Sequence, residues 1–314
     1  MKNNHGSLSV SGSISLRADG HCDTVTALKN GKAKHIDLEN IENFTDLQFF
    51  AIYIKNENDT NNAVQENEEY YSYYREILEK YEKIVPILSA KDINELKIGQ
   101  VGSILAMENS EPLATDSEAI FRFIDKGYRS FGITWSNDNS FGGGANTDTG
   151  LKDLGRNLLR AMNKLPVLVD LAHMNKKSFF DSMEILEKPP IVTHGCCYSL
   201  CAHRRNLTDD AMKLLAGAKG LFGITFVDSF LKEGGNATID RIVDHIIYAA
   251  DIMGLKNVCL GSDFDGTDLP SDMCGQKDIG KLKEQMLKRD FSNDEIDDIM
   301  GNNLKNYLEK ILEC

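Results

Sequence analysis

Short apolar runs alternate with helical patterns along almost the whole chain, and this alternation constrains the fold more than any other feature. Strands that alternate with helices indicate βαβ units and a parallel sheet. Eight such units in 314 residues fit one (β/α)₈ TIM-like barrel, in which right-handed crossovers place every strand C-terminus at the same end. The eight predicted strands lie around Ser15–Ala18, Leu47–Ile54, Val101–Met107, Ser130–Thr134, Val167–Ala172, Ile191–Thr193, Gly220–Phe226 and Val258–Ser262.

Between the strands the sequence predicts helices, two of them with recognisable N-caps. Thr208 precedes two aspartates, and Ser292 is followed three residues later by Glu295, as in a capping box. We expect one barrel domain over residues 1–314, with a short N-terminal β extension at about residues 7–17. The predicted helices are Ala63–Val85, Asp116–Lys126, Gly150–Asn163, Lys176–Leu186, Thr208–Ala216, Ile239–Met253, Lys281–Lys288 and Asp294–Leu312.

Composition excludes several classes of function. The chain has 48 acidic and 35 basic residues and a formal net charge of −13, which argues against a nucleic-acid partner. No apolar stretch reaches the length of a membrane span, and the N-terminus does not resemble a signal peptide. Seven irregularly spaced cysteines favour free thiols in a reducing compartment. We therefore expect a cytoplasmic enzyme without a membrane partner; a homodimer stays open, because no stripe in the sequence marks an interface.

Side chains that bind metal ions follow the predicted strands. His21 and Asp23 come after the first strand, Glu108 after the third, His173 after the fifth and His194 after the sixth. Imidazole and carboxylate groups bind zinc and similar ions, and five ligands exceed the needs of one open tetrahedral site. Any one of these residues alone is common at a strand end. Together they predict a metallohydrolase with two ions at the C-terminal ends of the strands.

Two further residues have candidate roles beside such a centre. Asp263 ends the last predicted strand and could take a proton from a metal-bound water and pass it to a leaving amine. Asp265, two residues on, is interpreted as a structural residue that caps the turn at Gly266. Arg205 could bind a substrate carboxylate bidentately, although an arginine pair at Arg204 and Arg205 is equally compatible with an exposed surface.

These stretches, in this order and spacing, resemble the renal (membrane) dipeptidase family of zinc peptidases, as a bacterial-type soluble member. The similarity runs from Asp19 to the C-terminal stretch 301–304. The stretches that carry it are Asp19-Gly20-His21-Cys22-Asp23-Thr24, His35-Ile36-Asp37-Leu38, Gln48-Phe49-Phe50-Ala51, Asp170-Leu171-Ala172-His173, Thr193-His194, Arg205-Asn206-Leu207-Thr208-Asp209 and Gly261-Ser262-Asp263-Phe264-Asp265-Gly266.

The resemblance implies a binuclear zinc centre and hydrolysis of dipeptides, with tolerance for a D residue at the C-terminal position. By position, His21 and Asp23 would hold one zinc and His173 and His194 the other, with Glu108 as the bridge. A hydroxide between the two ions would attack the peptide carbonyl. Two more roles follow from position: Asp263 would be the general acid and base, and Arg205 would bind the C-terminal carboxylate.

Three features depart from the family pattern. The Gly-Gly pair that often follows the bridging glutamate is Asn109-Ser110 in this chain. Trp135 stands where renal-type members have a histidine thought to polarise the scissile carbonyl; an indole N–H can donate a hydrogen bond but cannot titrate. Val227 occupies the position of an expected substrate-contacting tyrosine. Trp135 is therefore a candidate substrate-binding residue, and the family's substrate preference does not transfer directly.

Two alternatives remain. One is another binuclear amidohydrolase that acts on a non-peptide amide or a lactone, although the chain has neither an HxH pair nor a strand-end lysine in the predicted site. The other is a metal-binding homologue that has lost turnover. Manganese or cobalt could replace zinc, because sites built from histidine and carboxylate discriminate poorly among these ions.

Overall fold

The computed structural model describes residues 16–55 and 57–313, and their nine strands belong to one sheet. The strands are β1 Ala18–Asp19, β2 Leu47–Tyr53, β3 Ile84–Pro86, β4 Val101–Glu108, β5 Tyr128–Gly132, β6 Leu168–Asp170, β7 Ile191–Gly195, β8 Leu221–Ile224 and β9 Val258–Leu260. Neighbouring strands of the sheet are parallel and follow the order β1-β2-β4-β5-β6-β7-β8-β9, and β3 pairs in parallel with β4 outside this order.

The first and last strands of this order meet, and the sheet curls into a nearly closed barrel. Gly20 N donates to Leu260 O at 2.9 Å, and Asp263 N donates to His21 O at 3.1 Å. Cys22 then forms a parallel bridge with Phe264. The predicted (β/α)₈ TIM-like fold is confirmed, and the segment just after β1 lies beside the segment just after β9.

Helices cover the outside of the barrel, and both predicted N-caps are confirmed. The Thr208 side chain accepts a hydrogen bond from Ala211 N, and Ser292 forms a capping box with Glu295. The helices are α1 Thr24–Lys29, α2 Thr60–Lys80, α3 Ala90–Asn94, α4 Ala119–Asp125, α5 Asp153–Met162, α6 Lys176–Met183, α7 Asp209–Gly217, α8 Asp228–Leu231, α9 Ile239–Met253, α10 Ile279–Lys288, α11 Asn293–Asp297 and α12 Asn303–Leu312.

Alternation within the strands divides the core into two layers. In β2, Phe50 and Ile52 pack outward in the layer shared with the surrounding helices, whereas Phe49 and Ala51 belong to a second cluster together with α12. That second cluster also contains residues at the starts of several strands, so α12 closes the N-terminal end of the barrel. The C-terminal end is left for the loops that follow the strands.

Two predictions about elements were wrong in detail. The helix predicted over Ala63–Val85 ends at Lys80, and Ile84–Pro86 forms β3, because these residues gain a parallel ladder with Val101–Ser103 of β4. The final helix is interrupted by a π-helical turn over Asp298–Asn302 that separates α11 from α12.

The N-terminal β extension predicted at about residues 7–17 lies outside the described residues, apart from Leu16 and Arg17. Within residues 16–55 and 57–313, no helix combines the length and the apolar character needed to cross a bilayer.

Candidate metal centre

The five predicted ligands converge at the C-terminal end of the barrel. Glu108 is the last residue of β4 and His194 lies within β7, whereas the other three stand in the segments that follow β1 and β6. His21, Glu108, His173 and His194 are buried, and the Asp23 side chain is 16% exposed. The residues that the sequence placed at separate strand ends therefore share one site.

The side chains of His21 and Asp23 lie close together, but the backbone between them is not the extended strand that we expected. We expected an extended strand in which alternate side chains share a face, but Asp23 has φ −96° and ψ 18° and occupies the N-cap position of α1. Its side chain makes no capping hydrogen bond. His21 Nε2 lies 3.9 Å from Asp23 Oδ1 and 3.6 Å from Glu108 Oε2. The turn into α1 thus turns the Asp23 carboxylate toward the centre.

On the other side, two histidines flank the other oxygen of the same carboxylate. His173 Nε2 lies 2.7 Å from Glu108 Oε1, and His194 Nε2 lies 3.8 Å from it. The two imidazole Nε2 atoms are 2.8 Å apart. Two nitrogens bound to one tetrahedral ion would be about 3.3 Å apart, so these rings need to separate by about half an ångström to share an ion.

Several buried polar atoms of the cluster have no hydrogen-bond partner in the described structure. They are His173 Nδ1 and three atoms that face one another across the site, His21 Nε2, Asp23 Oδ1 and Glu108 Oε2. A buried polar atom without a partner is energetically unfavourable, and metal ions satisfy such groups. A Cβ at Gly266 would lie 2.1 Å from Asp23 Oδ2, so the glycine keeps space open beside these atoms. The donor set and its surroundings therefore fit metal ions.

Burial controls the protonation of the metal-free cluster. It raises the pKa of Glu108 to about 8, and the neighbouring Asp263 adds to this rise. Burial lowers the pKa of His21 to about 3, assisted by the charge of Arg205, and it lowers the pKa of His173 and His194 as well. The imidazoles are consequently neutral, which is the form that binds metals, whereas Glu108 must lose a proton when an ion arrives.

Asp263 lies at the edge of the same cluster. Its Oδ1 is 4.0 Å from His21 Nε2, and its backbone has φ +62°, in the left-handed region. Burial, followed by the charge of Asp23, raises the pKa of this carboxyl group. His21, Asp23 and Asp263 together present ligand atoms within 4.8 Å of one another, so Asp263 also lies within reach of an ion held there.

Asp265 has a structural role, although not the predicted one. Its Oδ1 accepts hydrogen bonds from Lys34 N and His35 N, both at 2.7 Å, and its Oδ2 accepts one from Thr24 Oγ1 at 2.7 Å. The N–H of Gly266 bonds instead to the Asp263 carbonyl oxygen. Asp265 therefore ties the loop after α1 to the loop after β9, and the expectation that it caps the turn at Gly266 was wrong.

Arg205 is a buried cation beside the cluster. It is 8% exposed, and no carboxylate of residues 16–55 and 57–313 lies within 4 Å of its guanidinium group. Its polar side-chain contact is one long hydrogen bond of 3.5 Å to His194 O, and its Cζ lies 5.6 Å from the centre of the Phe230 ring. The alternative of an exposed arginine pair is wrong, because only Arg204 is exposed. Glu108, Asp263 and Asp170 interact with its charge from beyond ion-pair distance, so the guanidinium keeps its donors free for an anionic ligand.

The cluster opens into a cavity of about 840 Å³. Trp135 forms part of its wall, with its ring 4.6 Å from that of Tyr53 and 5.9 Å from that of His173, measured between ring centroids. Val227 also lines the cavity and brings no polar side-chain group to it. Trp135 thus brings an aromatic surface to this wall, and Val227 brings an aliphatic one.

Comparison with known proteins identifies the family. A family model described as membrane dipeptidase (peptidase family M19) matches residues 13–313. The chain belongs to the membrane dipeptidase family. As a member of that family it is a hydrolase of the dipeptidase type and a metallopeptidase, and the resemblance seen in its motifs is confirmed.

Individual relatives agree with this membership. The dipeptidase tcpJ of Claviceps purpurea is 27% identical over 298 residues, which cover 89% of this chain and 70% of the relative. An uncharacterized protein encoded in the pqqA 5′ region of Klebsiella pneumoniae is 30% identical over 237 residues, 71% of this chain and 88% of that protein. A Rhodobacter sphaeroides metallopeptidase, liganded with a phosphinate mimic of the dipeptide L-Ala-D-Ala, shares the fold with a TM-score of 0.88 at 24% identity, covering 94% and 99% of the two chains.

Sequence reasoning missed two buried carboxylates that support the dipeptidase site. Asp19 accepts hydrogen bonds from Ser262 N at 2.7 Å and Ser262 Oγ at 2.6 Å. Asp170 accepts them from Thr193 N at 3.0 Å and Thr193 Oγ1 at 2.6 Å. For Asp170 the available signal was its position inside an apolar strand run, because a buried carboxylate requires several donors.

Proposed function

We propose that this protein hydrolyses dipeptides at a centre of two zinc ions. His21 and Asp23 would hold one ion, His173 and His194 the other, and Glu108 would bridge them. The observation that carries this assignment is the set of buried, unpartnered atoms that face one another in the cluster, His21 Nε2, Asp23 Oδ1 and Glu108 Oε2. Bound ions would supply Lewis acidity and lower the pKa of a water molecule held between them. Manganese or cobalt could substitute.

Asp263 is assigned the proton transfer. Its carboxylate lies beside His21 and Asp23, close enough to receive a proton from a water molecule in the cluster. In reverse, the protonated carboxyl group would donate to the departing amine of the substrate. Burial and the charge of Asp23 raise the pKa of Asp263, which favours a group that can hold a proton between the two steps.

Arg205 is assigned the C-terminal carboxylate of the substrate. Its guanidinium is buried and forms no ion pair within 4 Å among the described residues, so a substrate carboxylate would supply a direct partner. This contact would confine cleavage to the C-terminal peptide bond, because only there does a carboxylate lie at that distance from the scissile carbonyl. In a dipeptide this is the only peptide bond.

Trp135 is proposed to contact the substrate near the ligands. Its ring stands between Tyr53 and His173, and an indole N–H there could donate a hydrogen bond to the substrate without titrating. We propose that the enzyme accepts L-L dipeptides and also a D residue at the C-terminal position. The L-Ala-D-Ala mimic bound by the Rhodobacter sphaeroides metallopeptidase, which shares the fold, supports testing such substrates.

The direct test is release of free amino acids from L-L and L-D dipeptides and from matching tripeptides. The protein would be supplied with two equivalents of zinc, and a chelated sample would be the control. We expect metal-dependent cleavage of dipeptides and none of tripeptides. If no peptide is cleaved although both ions are bound, the dipeptidase assignment fails and non-peptide amides and lactones become the substrates to test.

The carboxylate site has its own matched variants. Arg205→Ala should lower kcat/KM at least about 30-fold, since losing one partner of a buried charged pair costs about 2–5 kcal/mol. The exposed neighbour provides the control: Arg204→Ala should stay within about threefold. Equal effects of the two substitutions would contradict the proposed role of Arg205. Asp263→Asn with full activity and both ions bound would likewise exclude the proton transfer assigned to Asp263.

A further inference from the structure

The loop that follows β5 carries Trp135, the one tryptophan of the chain. It returns on itself tightly: Asn146 N donates to Ser136 O at 2.7 Å, and a Cβ at Gly144 would lie 2.0 Å from Trp135 O. The loop has little regular secondary structure of its own. Its shape must therefore be set by hydrogen bonds to groups outside a helix or strand ladder.

Asn109 supplies the first of these groups. It directly follows Glu108 and has φ +80°, a left-handed conformation that asparagine tolerates better than most residues. Its buried amide Nδ2 donates to Ile54 O at 2.9 Å, and its Oδ1 accepts from Glu111 N at 3.1 Å. The same Oδ1 accepts from Asn139 Nδ2 at 2.9 Å. Asn109 thus connects the ends of β2 and β4 to the loop after β5.

Asn139 continues this connection on both sides of Trp135. Its Nδ2 donates to Ile133 O at 2.7 Å, before the tryptophan in the chain. Its Oδ1 accepts from Phe141 N at 2.9 Å and Gly142 N at 3.0 Å, after it. Asn109 and Asn139 both have no exposed surface, so each of these bonds is shielded from water.

A buried carboxylate fixes the same loop from a neighbouring position. Glu111 Oε2 accepts a hydrogen bond from Ser140 N at 2.8 Å, and Oε1 accepts from Ser140 Oγ at 2.8 Å. Glu111 N is itself held by Asn109. The loop therefore has a second attachment that does not pass through the Asn139 amide, so that amide can be removed without releasing the whole loop.

We infer that Asn109 and Asn139 are positioning residues that act as an amide–amide strut, which holds Trp135 against Tyr53 and His173 and so sets the substrate-facing wall of the site. Neither asparagine is placed in contact with substrate or metal; they act through Trp135. The consequence for substrate binding rests on the proposed dipeptidase function. The consequence for the position of Trp135 does not.

Two substitutions remove the strut, and a third is the control. Asn109→Gly keeps a backbone that accepts φ +80° and removes the side chain that carries the amide, and Asn139→Ala removes the other amide. Asn303 is also buried and donates to two backbone carbonyls, Leu255 O and Val258 O, at the opposite end of the barrel. Asn303→Ala therefore reproduces the loss of buried amide hydrogen bonds far from Trp135.

Emission from the single tryptophan reports on Trp135 alone and needs no substrate. Asn109→Gly and Asn139→Ala should shift the emission to longer wavelength and make it easier to quench with acrylamide, while Asn303→Ala changes neither. With zinc and a dipeptide substrate, the first two should raise KM about tenfold with a smaller change in kcat, since small misplacements near a site have large effects.

The readouts also separate the ways in which the inference could fail. If all three variants lose thermal stability and none changes the emission, the asparagines are merely structural and the inference is wrong. If zinc content falls in Asn109→Gly while the emission is unchanged, the amide acts on Glu108, which also overturns it. If the wild-type protein cleaves no dipeptide, the proposed function fails. The emission still shows whether Asn109 and Asn139 position Trp135.

Discussion

The candidate metal centre has two halves, one with His21 and Asp23 and the other with His173 and His194. Behind each half a buried aspartate accepts several hydrogen bonds, but the two aspartates differ in what they hold in place. Behind His21, Asp19 accepts hydrogen bonds from the backbone N–H two residues ahead and from the N–H and hydroxyl of Ser262. On the opposite half, Asp170 accepts from the N–H two residues ahead and from the N–H and hydroxyl of Thr193. In both halves a buried carboxylate joins two adjacent strands below the ligands.

The hydroxyl groups of Thr193 and Ser262 differ in their second partner. Thr193 Oγ1 lies 2.9 Å from His194 Nδ1, so with Asp170 ionised the hydroxyl donates to the carboxylate and accepts from Nδ1–H. This fixes the tautomer in which Nε2 is free to bind a metal. Ser262 Oγ instead lies 3.1 Å from His21 O and accepts from Phe264 N. The Thr193 hydroxyl therefore orients the ring of His194, a proposed ligand, whereas the Ser262 hydroxyl, apart from its bond to Asp19, contacts only backbone atoms.

Removal of the group common to both halves should have the largest effect. Glu108→Gln takes away the charge that faces His21 on one side and His173 and His194 on the other. Bound metal should fall from two equivalents to one or fewer. Activity should drop about 10³-fold or more, because metal ions supply several kcal/mol of transition-state stabilisation. Metal analysis together with dipeptide kinetics measures both, and two retained ions would contradict the bridging role.

Glu108, the proposed bridge, should also make metal binding depend on pH. Its pKa in the metal-free site is raised to about 8, so it is protonated below that pH, whereas the histidines, with lowered pKa values, stay neutral. Burial raises the pKa of Asp23, the other carboxylate of the proposed ligand set, as well. Binding must displace the protons of these carboxyl groups, so affinity should rise at least about tenfold per pH unit between pH 6 and 8. Calorimetry in buffers of different ionisation enthalpy would count the released protons; no release near pH 7 would contradict this assignment.

Thr193→Val tests whether the Thr193 hydroxyl orients His194. The substitution preserves the shape of the side chain and removes the hydroxyl between Asp170 and His194. Loss of such an outer partner typically reduces metal affinity or activity about 10- to 100-fold. Competition with a chromogenic chelator would measure the affinity of the more weakly bound ion. An unchanged affinity would show that the hydroxyl does not orient His194.

Ser262→Ala is the matched change in the other half and should have the smallest effect on the metal. It leaves Asp19 without its hydroxyl donor but leaves the ring of His21 untouched. We expect a loss of about 1–2 kcal/mol in the free energy of unfolding and little change in metal affinity. Denaturant unfolding would measure the free energy of unfolding, and the same chelator competition would measure the metal affinity. If both variants weakened metal binding equally, the distinction between the two halves would disappear.

The sequence was sufficient to predict the barrel and the grouping of its candidate ligands. A barrel with parallel strands brings all strand C-termini together, so Glu108 and His194 could be placed in one site from their positions in the chain alone. The N-caps at Thr208 and Ser292 were likewise predictable, because capping depends on residues only three apart.

Contacts between distant segments decided the rest. Ile84 and Val85 continue a helical pattern, but pairing with β4 makes them a strand. Asp23 reaches the site through a turn held by Phe264, more than two hundred residues away. Whether Arg205 is buried or exposed could not be read from an arginine pair.

What the sequence by itself determined is the arrangement that follows from local periodicity and strand order: a (β/α)₈ barrel with histidines and carboxylates at one end. What only the tertiary structure decided is how these groups are held. Asp19 and Asp170 accept hydrogen bonds from residues of other strands and loops. Asn109, with its left-handed backbone, is hydrogen-bonded to Asn139 of another loop. Hydrogen bonds of this kind depend on distances of a few ångströms between segments that are far apart in the chain, and no local pattern specifies them.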